Sequence, residues 1–278
     1  MISKDIKPKK EGLKLLKLFL KTLTELKPEY YNNVEPINKI FEEYDISKVL
    51  EIWDGSPFYL KQKRNRMLSI IDNGKKNYIF GAISIHYKKK TLDNELHQIK
   101  NFLTKSSKTF TGEFGYIHSM ISESEFNFEY EANVSIYSNF KNPTMTITSF
   151  VLKKYIPNLY WFTILGPTYV NFFGKERIEE TPCFKVIKIS ECCYGLQLTE
   201  NLMDLKNNFE YFNQIRTKAK THLGTSAFFD LKLGRDYKYS TPDFPLGFAE
   251  HRNNPINPED LEKLFKGKRN KSVLIVKT

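Results

Sequence analysis

The chain has 278 residues, of which 40% are hydrophobic and 14% aromatic, and its formal net charge at pH 7 is +11. This length suits one large domain or two ordinary ones, and the aromatic content excludes an intrinsically disordered chain. Three cysteines, two of them adjacent at positions 192 and 193, are too few for a disulfide scaffold and lack the spacing of a zinc site. Because disulfides are rare in reducing compartments, we expect a cytoplasmic protein.

The positive charge comes mainly from lysine, since 36 of the 43 basic residues are Lys and 7 are Arg. Interfaces with nucleic acid favour Arg, whose planar fork donates two parallel hydrogen bonds. The composition therefore argues against nucleic acid as a partner. Two basic segments, 61–66 and 266–271, keep a nucleic-acid-binding protein as an alternative. The apolar stretches fall short of the roughly 20 residues that cross a bilayer, so we expect no membrane span.

The first predicted element is a helix over 13–26, in which leucines recur at helical spacing opposite a lysine face and which ends before Pro28. A strand is predicted at Tyr78–Tyr87, because this segment is rich in aromatic and β-branched residues. A helix follows from about Leu92 to Phe102, and a second strand covers Phe110–His118. This order predicts a β-α-β-like unit.

A related order recurs in the second half of the chain. The pattern predicts strands at Phe184–Ile189 and Tyr194–Thr199, a helix from Leu202 to Leu223 and a strand at Ser226–Leu231, then a helix that starts at Asn257 and a last strand at Ser272–Val276. We therefore predict one α+β domain over 1–278, with a mixed, largely antiparallel sheet, flanking helices and two β-α-β-like halves. Any boundary between two lobes would fall near 140–157.

Sequence motifs of enzymes are not found. The chain has no G-x-S-x-G elbow, no P-loop and no H-E-x-x-H motif, and its five histidines lack the spacing of metal ligands. We accordingly predict no catalytic residue, no metal ligand and no cofactor. An enzyme that uses dispersed acidic residues stays open as an alternative.

The segment 123–132 (ESEFNFEYEA) alternates acidic and apolar residues. On a strand, this alternation places the carboxylates on one face and the aromatic rings on the other. Such a face suits a solvated sheet edge, or an acidic stripe that steers a basic partner. A metal site would need further ligands, since carboxylates two apart on a strand are about 7 Å apart. The candidate binding residues are Glu123, Glu125, Glu129 and Glu131.

The segment 156–174 predicts a packed structural corner. An aromatic strand at Leu159–Leu165, with Trp161 in the core, meets Gly166 and Pro167, and proline suits the first turn of a short helix. We expect Tyr169 and Phe173 to point inward and Gly174 to close that helix. We predict a purely structural role for Trp161, Gly166, Pro167, Tyr169, Phe173 and Gly174.

The same residues carry a family resemblance. The residues concerned are Trp161, then Leu165-Gly166-Pro167, Tyr169-Val170 and Phe173-Gly174-Lys175-Glu176, followed by Pro182-x-Phe184-Lys185-Val186 and Leu196-Gln197-Leu198-Thr199. This run resembles bacterial immunity proteins of polymorphic and type VI toxin systems, in particular the immunity protein 52 family. The helix around 19–28 and the strand around 114–119 stand in compatible order. The resemblance thus covers most of the chain.

The resemblance implies a single α+β domain without enzymatic activity. It implies a protein that binds a cognate toxin, in such systems often a nuclease, and neutralises it in the producing cell's cytoplasm by occluding the toxin's active site. The basic net charge is unusual for an inhibitor of a nuclease. An acidic strand at Glu123–Ala132 would reconcile the two, because binding depends on the local potential of a surface.

Overall fold

The computed structural model describes residues 1–53, 57–63, 67–72, 82–86, 93–119, 123–132 and 147–244. These residues fall within one compact unit, Met1–Phe248, and the stretch 140–157 lies inside that unit. The elements predicted at Asn257 and Ser272–Val276, and the basic segment 266–271, lie outside the described residues.

The first sheet is antiparallel, with the strand order β2-β1-β3-β4-β5. Its strands are β1 (Tyr30–Asn32), β2 (Lys39–Ile40), β3 (Phe58–Gln62), β4 (Met67–Asp72) and β5 (Ala82–His86). In β3, buried residues alternate with half-buried ones, the pattern of a strand with one face on a core. The indole of Trp53 belongs to this core, where its Nε1 donates to the carbonyl of Ile6 at 2.9 Å and its ring lies 5.1 Å from Phe58.

The second sheet is also antiparallel, with the order β6-β7-β9-β8. Its strands are β6 (Phe114–Ile117), β7 (Phe162–Leu165), β8 (Lys185–Ser190) and β9 (Cys193–Gln197). Every residue of the two central strands, β7 and β9, is buried. The centre of this sheet is therefore covered on both faces.

Nine α-helices accompany these sheets in the described part of the chain. They are α1 (Lys9–Thr22), α2 (Ile46–Glu51), α3 (Asp93–Phe110), α4 (Glu123–Ala132), α5 (Ser149–Leu152), α6 (Pro167–Phe173), α7 (Lys175–Glu179), α8 (Asp204–Asn207) and α9 (Phe209–Leu223). The longest, α3, connects β5 of the first sheet to β6 of the second. Among the described helices, none has both the length and the apolar character that crossing a membrane requires.

The α+β prediction is confirmed, and the first predicted elements match the structure with shifted bounds. The helix predicted over 13–26 appears as α1, which ends at Thr22 and is followed by a 3-10 turn, Thr24–Leu26. Strand β5 covers the later part of the predicted strand Tyr78–Tyr87, whose other residues lie outside the described ranges. The order of strand, helix and strand is present, with β5 and β6 in different sheets.

In the second half, β8 and β9 confirm the predicted strand pair. The long helix is interrupted at Asn208, whose backbone (φ −148°, ψ 57°) is not helical. The strand predicted at Ser226–Leu231 is wrong, because a 3-10 turn occupies Thr225–Ala227 and Phe228 forms only a single bridge, with Ile156. The apolar residues there pack into the core instead of extending a strand: the Phe228 ring stacks 6.2 Å from that of Phe173.

The strand predicted at Glu123–Ala132 is also wrong, because the segment forms helix α4. Within this helix, Glu125, Glu129 and Ala132 are spaced four and three apart, which places them on one side. All three are buried. At the end of the helix, Arg235 Nη2 donates to the carbonyl of Tyr130 at 2.7 Å, which satisfies one of the carbonyls that a helix end leaves free.

Candidate functional site

The four glutamates of the predicted acidic face occupy different environments. Glu125 and Glu129 are 3% and 0% exposed, whereas Glu131 is exposed and Glu123 is the first residue of α4. Residues four apart share one side of a helix, so the carboxylates of Glu125 and Glu129 point together into the interior. The prediction of one solvent-facing acidic stripe is therefore wrong for these two residues.

Arg216 of α9 binds the carboxylate of Glu125 with both nitrogens of its fork. Nη1 donates to Oε1 at 2.6 Å and Nη2 donates to Oε2 at 3.2 Å. Asn213 orients the guanidinium, because its Oδ1 accepts from Nε at 3.2 Å and from Nη2 at 2.9 Å. His118, which follows β6, places its Nε2 3.0 Å from Oε1 of Glu125. Three separate elements thus meet at one buried carboxylate.

Glu129 is bound by the segment that leads into β7. Its Oε1 accepts from Asn158 Nδ2 at 3.0 Å, and its Oε2 accepts from the hydroxyl of Tyr160 at 2.9 Å. The Tyr160 ring in turn packs 4.5 Å from the ring of Tyr116 on β6. Both oxygens of each buried glutamate therefore accept hydrogen bonds from the protein.

The two carboxylates differ in acidity. Burial alone would raise the pKa of Glu125, but the hydrogen bond with His118 and the charge of Arg216 outweigh it and lower this pKa to about 2. Desolvation dominates at Glu129 and raises its pKa above the usual range. Glu125 is therefore ionised at neutral pH and forms a buried ion pair with Arg216.

A second cation borders this cluster. Lys220 is one helical turn after Arg216 on α9, and its Nζ lies 5.7 Å from the ring of Phe128 and 5.3 Å from that of Phe228. Burial, and then the charge of Arg216, lower the pKa of Lys220 to about 8. Two acidic residues spaced four apart on α4 thus face two basic residues spaced four apart on α9. We call the set His118, Glu125, Glu129, Asn158, Tyr160, Arg216 and Lys220 the buried charge cluster.

Part of the buried charge cluster has the composition of a metal site. His118, Glu125 and Glu129 can each offer a ligand atom, with these atoms within 4.8 Å of one another. Imidazole nitrogen and carboxylate oxygen are ligands for divalent transition metals. A cation here would compete with Arg216 for Glu125, and with the two neutral donors for Glu129. As arranged, these oxygens serve a hydrogen-bonded ion network.

The residues of the predicted structural corner lie in the core beside β7. Trp161, Tyr169 and Phe173 are buried, and α6 begins at Pro167 and ends before Gly174, as predicted. Gly174 has φ +85°, a backbone conformation that glycine adopts readily. At Gly166 the chain passes so close to its neighbours that a Cβ atom would lie 1.9 Å from the carbonyl oxygen of Gly112.

One open cleft of about 390 Å³ lies beside Trp161. Its polar lining comes from α3, the end of β9 and the segment around α8: His97, Lys100, Gln197, Glu200, Asn201, Asp204 and Asn207. Lys100 donates to Oε1 of Gln197, and its Nζ lies 5.1 Å from the ring of Phe162. The lining mixes both signs of charge with amides and does not select one ligand chemistry.

Two members of the buried charge cluster, Glu125 and Glu129, were predicted as site residues from the sequence, and the other five were not. The predicted apolar stripe of the long helix omits Arg216, although this residue lies four after Phe212 and three before Ala219, both buried. A basic residue inside an apolar stripe was the available signal, since a charge there requires a buried partner. The partner itself lies 91 residues away along the chain.

Searches against models of protein families, curated proteins and solved structures found no match to this chain. The resemblance to immunity proteins remains a prediction.

Proposed function

We propose that this protein is an immunity protein, which binds a cognate bacterial toxin in the cytoplasm of the producing cell and neutralises it by occluding its active site. In this proposal the protein has no catalytic role of its own. A standard tight interface of this kind buries about 1,200–2,000 Å² in total.

The observation that carries the proposal is the fold of residues 161–199, the run that carries the resemblance. Trp161 and the four residues of β7 are buried, α6 follows after Gly166, and each of the four β7 residues pairs with one on β9. The run therefore forms a continuous rigid framework, with its aromatic residues used for packing. A preformed framework lowers the entropic cost of binding and suits an inhibitor that acts by shape and charge.

The buried charge cluster supports the same proposal. Its carboxylates are sealed from solvent and hydrogen-bonded on both oxygens. It connects α4 and α9 to the edge strand β6 and to the segment before β7. We assign it a structural role, with the toxin-binding residues elsewhere on the surface.

One observation favours a second candidate, an enzyme that uses acidic residues. His118 lies beside two glutamates whose pKa values are displaced in opposite directions, an arrangement that also occurs in active sites. A substrate or metal ion would have to displace Arg216 or Tyr160 to reach these carboxylates. We therefore rank this candidate second.

The proposal predicts that a large secreted toxin is encoded next to this gene, and it is tested in cells with the toxic domain of that protein. Co-expression of the full chain in a sensitive host is expected to restore growth, and the purified proteins are expected to form a complex. Glu125→Gln with Glu129→Gln separates the candidates, provided that the variant folds. This variant should still protect the host from the toxin if the cluster is structural. Two outcomes would contradict the proposal. One is that the toxin kills host cells that contain soluble, full-length wild-type protein. The other is an enzymatic turnover of the wild-type protein that this variant loses.

A further inference from the structure

The most exposed aromatic side chain among the large hydrophobic residues in the described part of the chain lies at one end of the first sheet. Tyr44 is 85% exposed, in a 3-10 turn, Glu43–Asp45, that follows the terminal strand β2. Ile40, the last residue of β2, is 70% exposed. Tyrosine is enriched among the residues that dominate binding energy in protein interfaces.

The segment that carries these two residues is opposite in charge to the whole chain. Residues 29–51 contain six acidic and two basic residues, in a chain with net charge +11. Lys27 pairs with Glu43 at 2.7 Å, and Lys48 pairs with Asp45 at 2.6 Å. Within the described ranges, Glu42 and Glu51 form no ion pair. We call the set Ile40, Glu42, Tyr44, Asp45 and Glu51 the acidic edge.

The acidic charges lie near one another in space. Burial, and then the charge of Glu51, raise the pKa of Tyr31 on the adjacent strand β1, and Asp45 and Glu42 act in the same direction while Lys48 acts against them. Glu42 acts most strongly on the exposed phenol of Tyr44 and raises its pKa. Three carboxylates thus lie near these two tyrosines, with one cation, Lys48, among them.

Buried neighbours fix the backbone of the acidic edge. Phe41 is buried and packs 6.1 Å from the ring of Tyr31, and its N–H donates to the carbonyl of Glu29 at 2.9 Å. Val49 of α2 is fully buried in the same core. The exposed side chains therefore project from a preorganised base, which lowers the ordering cost of binding.

We propose that the acidic edge is the surface that binds the toxin, and that the toxin presents a basic surface to it. This inference rests on the proposed function. Charge complementarity identifies the partner's chemistry: a basic protein surface, such as the one with which a nuclease binds its substrate, is attracted to this patch and repelled by most of the rest of the chain. Tyr44 would fill the centre of the interface and the carboxylates its rim.

The test uses full-length protein and compares two matched double charge reversals. The variant Glu42→Lys/Glu51→Lys changes the acidic edge, and Glu180→Lys/Asp236→Lys changes two exposed acidic residues elsewhere. Association with the toxic domain of the proposed cognate toxin is measured at 50 and 300 mM NaCl. We expect the edge variant to associate at least tenfold more slowly at low salt and the matched control within about twofold of wild type. Tyr44→Ala should mainly accelerate dissociation.

A second measurement separates this inference from the proposed function. The probe is a fluorescent (Lys-Arg)5 peptide at 20 mM NaCl, which needs no toxin. Wild-type protein and the matched control should bind it, and the edge variant should lose at least 80% of the signal at the same protein concentration. Equal binding of the peptide by all three proteins would overturn the assignment of the acidic edge as the binding surface, even if the wild-type protein protects cells. Failure of wild type to protect, with edge-dependent peptide binding intact, would overturn the proposed function instead.

A second copy of this chain is the competing occupant, since its own surface is basic. Light scattering of the wild-type protein at roughly 10–100 µM tests whether the chain forms a dimer. A monomer agrees with the proposal. A dimer that the Glu42→Lys/Glu51→Lys variant abolishes would show that the acidic edge is a self-association surface, and would overturn the assignment to a toxin.

Discussion

Arg216 illustrates how a single buried residue can organise distant parts of the chain. Its guanidinium joins α9 to α4 through Glu125, and Asn213 holds it in position. Removing two charges from water costs free energy that offsets most of their attraction, so an intact buried pair adds little net stability. Removing one partner alone is costly, because the other charge remains buried.

The variant Arg216→Met tests this asymmetry. It leaves Glu125 buried without its cation, so we expect the free energy of unfolding at pH 7 to fall by about 3–5 kcal/mol in urea titrations. The double variant Arg216→Met/Glu125→Gln removes both charges and should recover at least half of this loss. A single variant as stable as wild type would contradict the described ion pair.

The low pKa of Glu125 predicts a specific acid sensitivity. A carboxyl group whose pKa is lower in the folded than in the unfolded state stabilises the protein above the unfolded pKa, and this stabilisation is lost as the pH falls. With a folded pKa of about 2 against an ordinary value near 4.3, the loss falls between about pH 4.5 and pH 2 and amounts to about 3 kcal/mol. Glu129 acts in the opposite direction, because its pKa is raised.

The measurement compares wild type with Glu125→Gln across this range. Subtracting the two curves of unfolding free energy against pH isolates Glu125 from the other carboxyl groups. The difference should favour wild type most above pH 5 and shrink towards pH 2. Parallel curves would show that Glu125 has an ordinary pKa in the folded protein.

At the scale of elements, the junction of β7 and α6 depends on one glycine. A Cβ atom at Gly166 would lie 1.9 Å from the carbonyl oxygen of Gly112 and 2.6 Å from the Cα of Glu113, both backbone atoms that move only with β6. Gly166→Ala should therefore lower the free energy of unfolding by about 2–3 kcal/mol, measured by urea titration. Gly115→Ala is the matched control: its Cβ would meet the flexible Leu103 side chain at 3.1 Å, and the cost should stay below about 1 kcal/mol. Equal costs at the two positions would contradict the described junction.

Elements with local signals could be predicted from the sequence, and elements that depend on distant partners could not. Pro167 and Gly174 define α6 within eight residues, and the structure has that helix. Segment 123–132 alternates with a strand period, yet it forms a helix whose buried carboxylates accept hydrogen bonds from distant donors. Those donors, Arg216 and Tyr160, come from later in the chain. The prediction that Glu125 and Glu129 face solvent was wrong for the same reason.

At the scale of the whole molecule, the net charge of +11 hides an uneven distribution. Helix α1 buries Leu15, Leu16 and Leu20 and exposes Lys10, Lys14, Lys17 and Lys21 along one side, while the acidic edge lies at β2 and the segment after it. A basic nucleic-acid-binding protein and an immunity protein both fit the total charge. They differ in how the binding of nucleic acid depends on salt, because each phosphate contact releases counterions.

The immunity proposal therefore predicts weak, unspecific binding of nucleic acid. At 20 mM NaCl the lysine side of α1 should attract a random 20-base-pair duplex in fluorescence anisotropy, and Lys14→Glu/Lys17→Glu/Lys21→Glu should abolish this attraction. At 150 mM NaCl we expect no saturation with wild-type protein at about 10 µM, the usual range of unspecific affinity. Saturation below about 1 µM at that salt concentration, for duplex or single-stranded probes, would favour the nucleic-acid-binding alternative, because only a surface built for phosphates retains such affinity when screened.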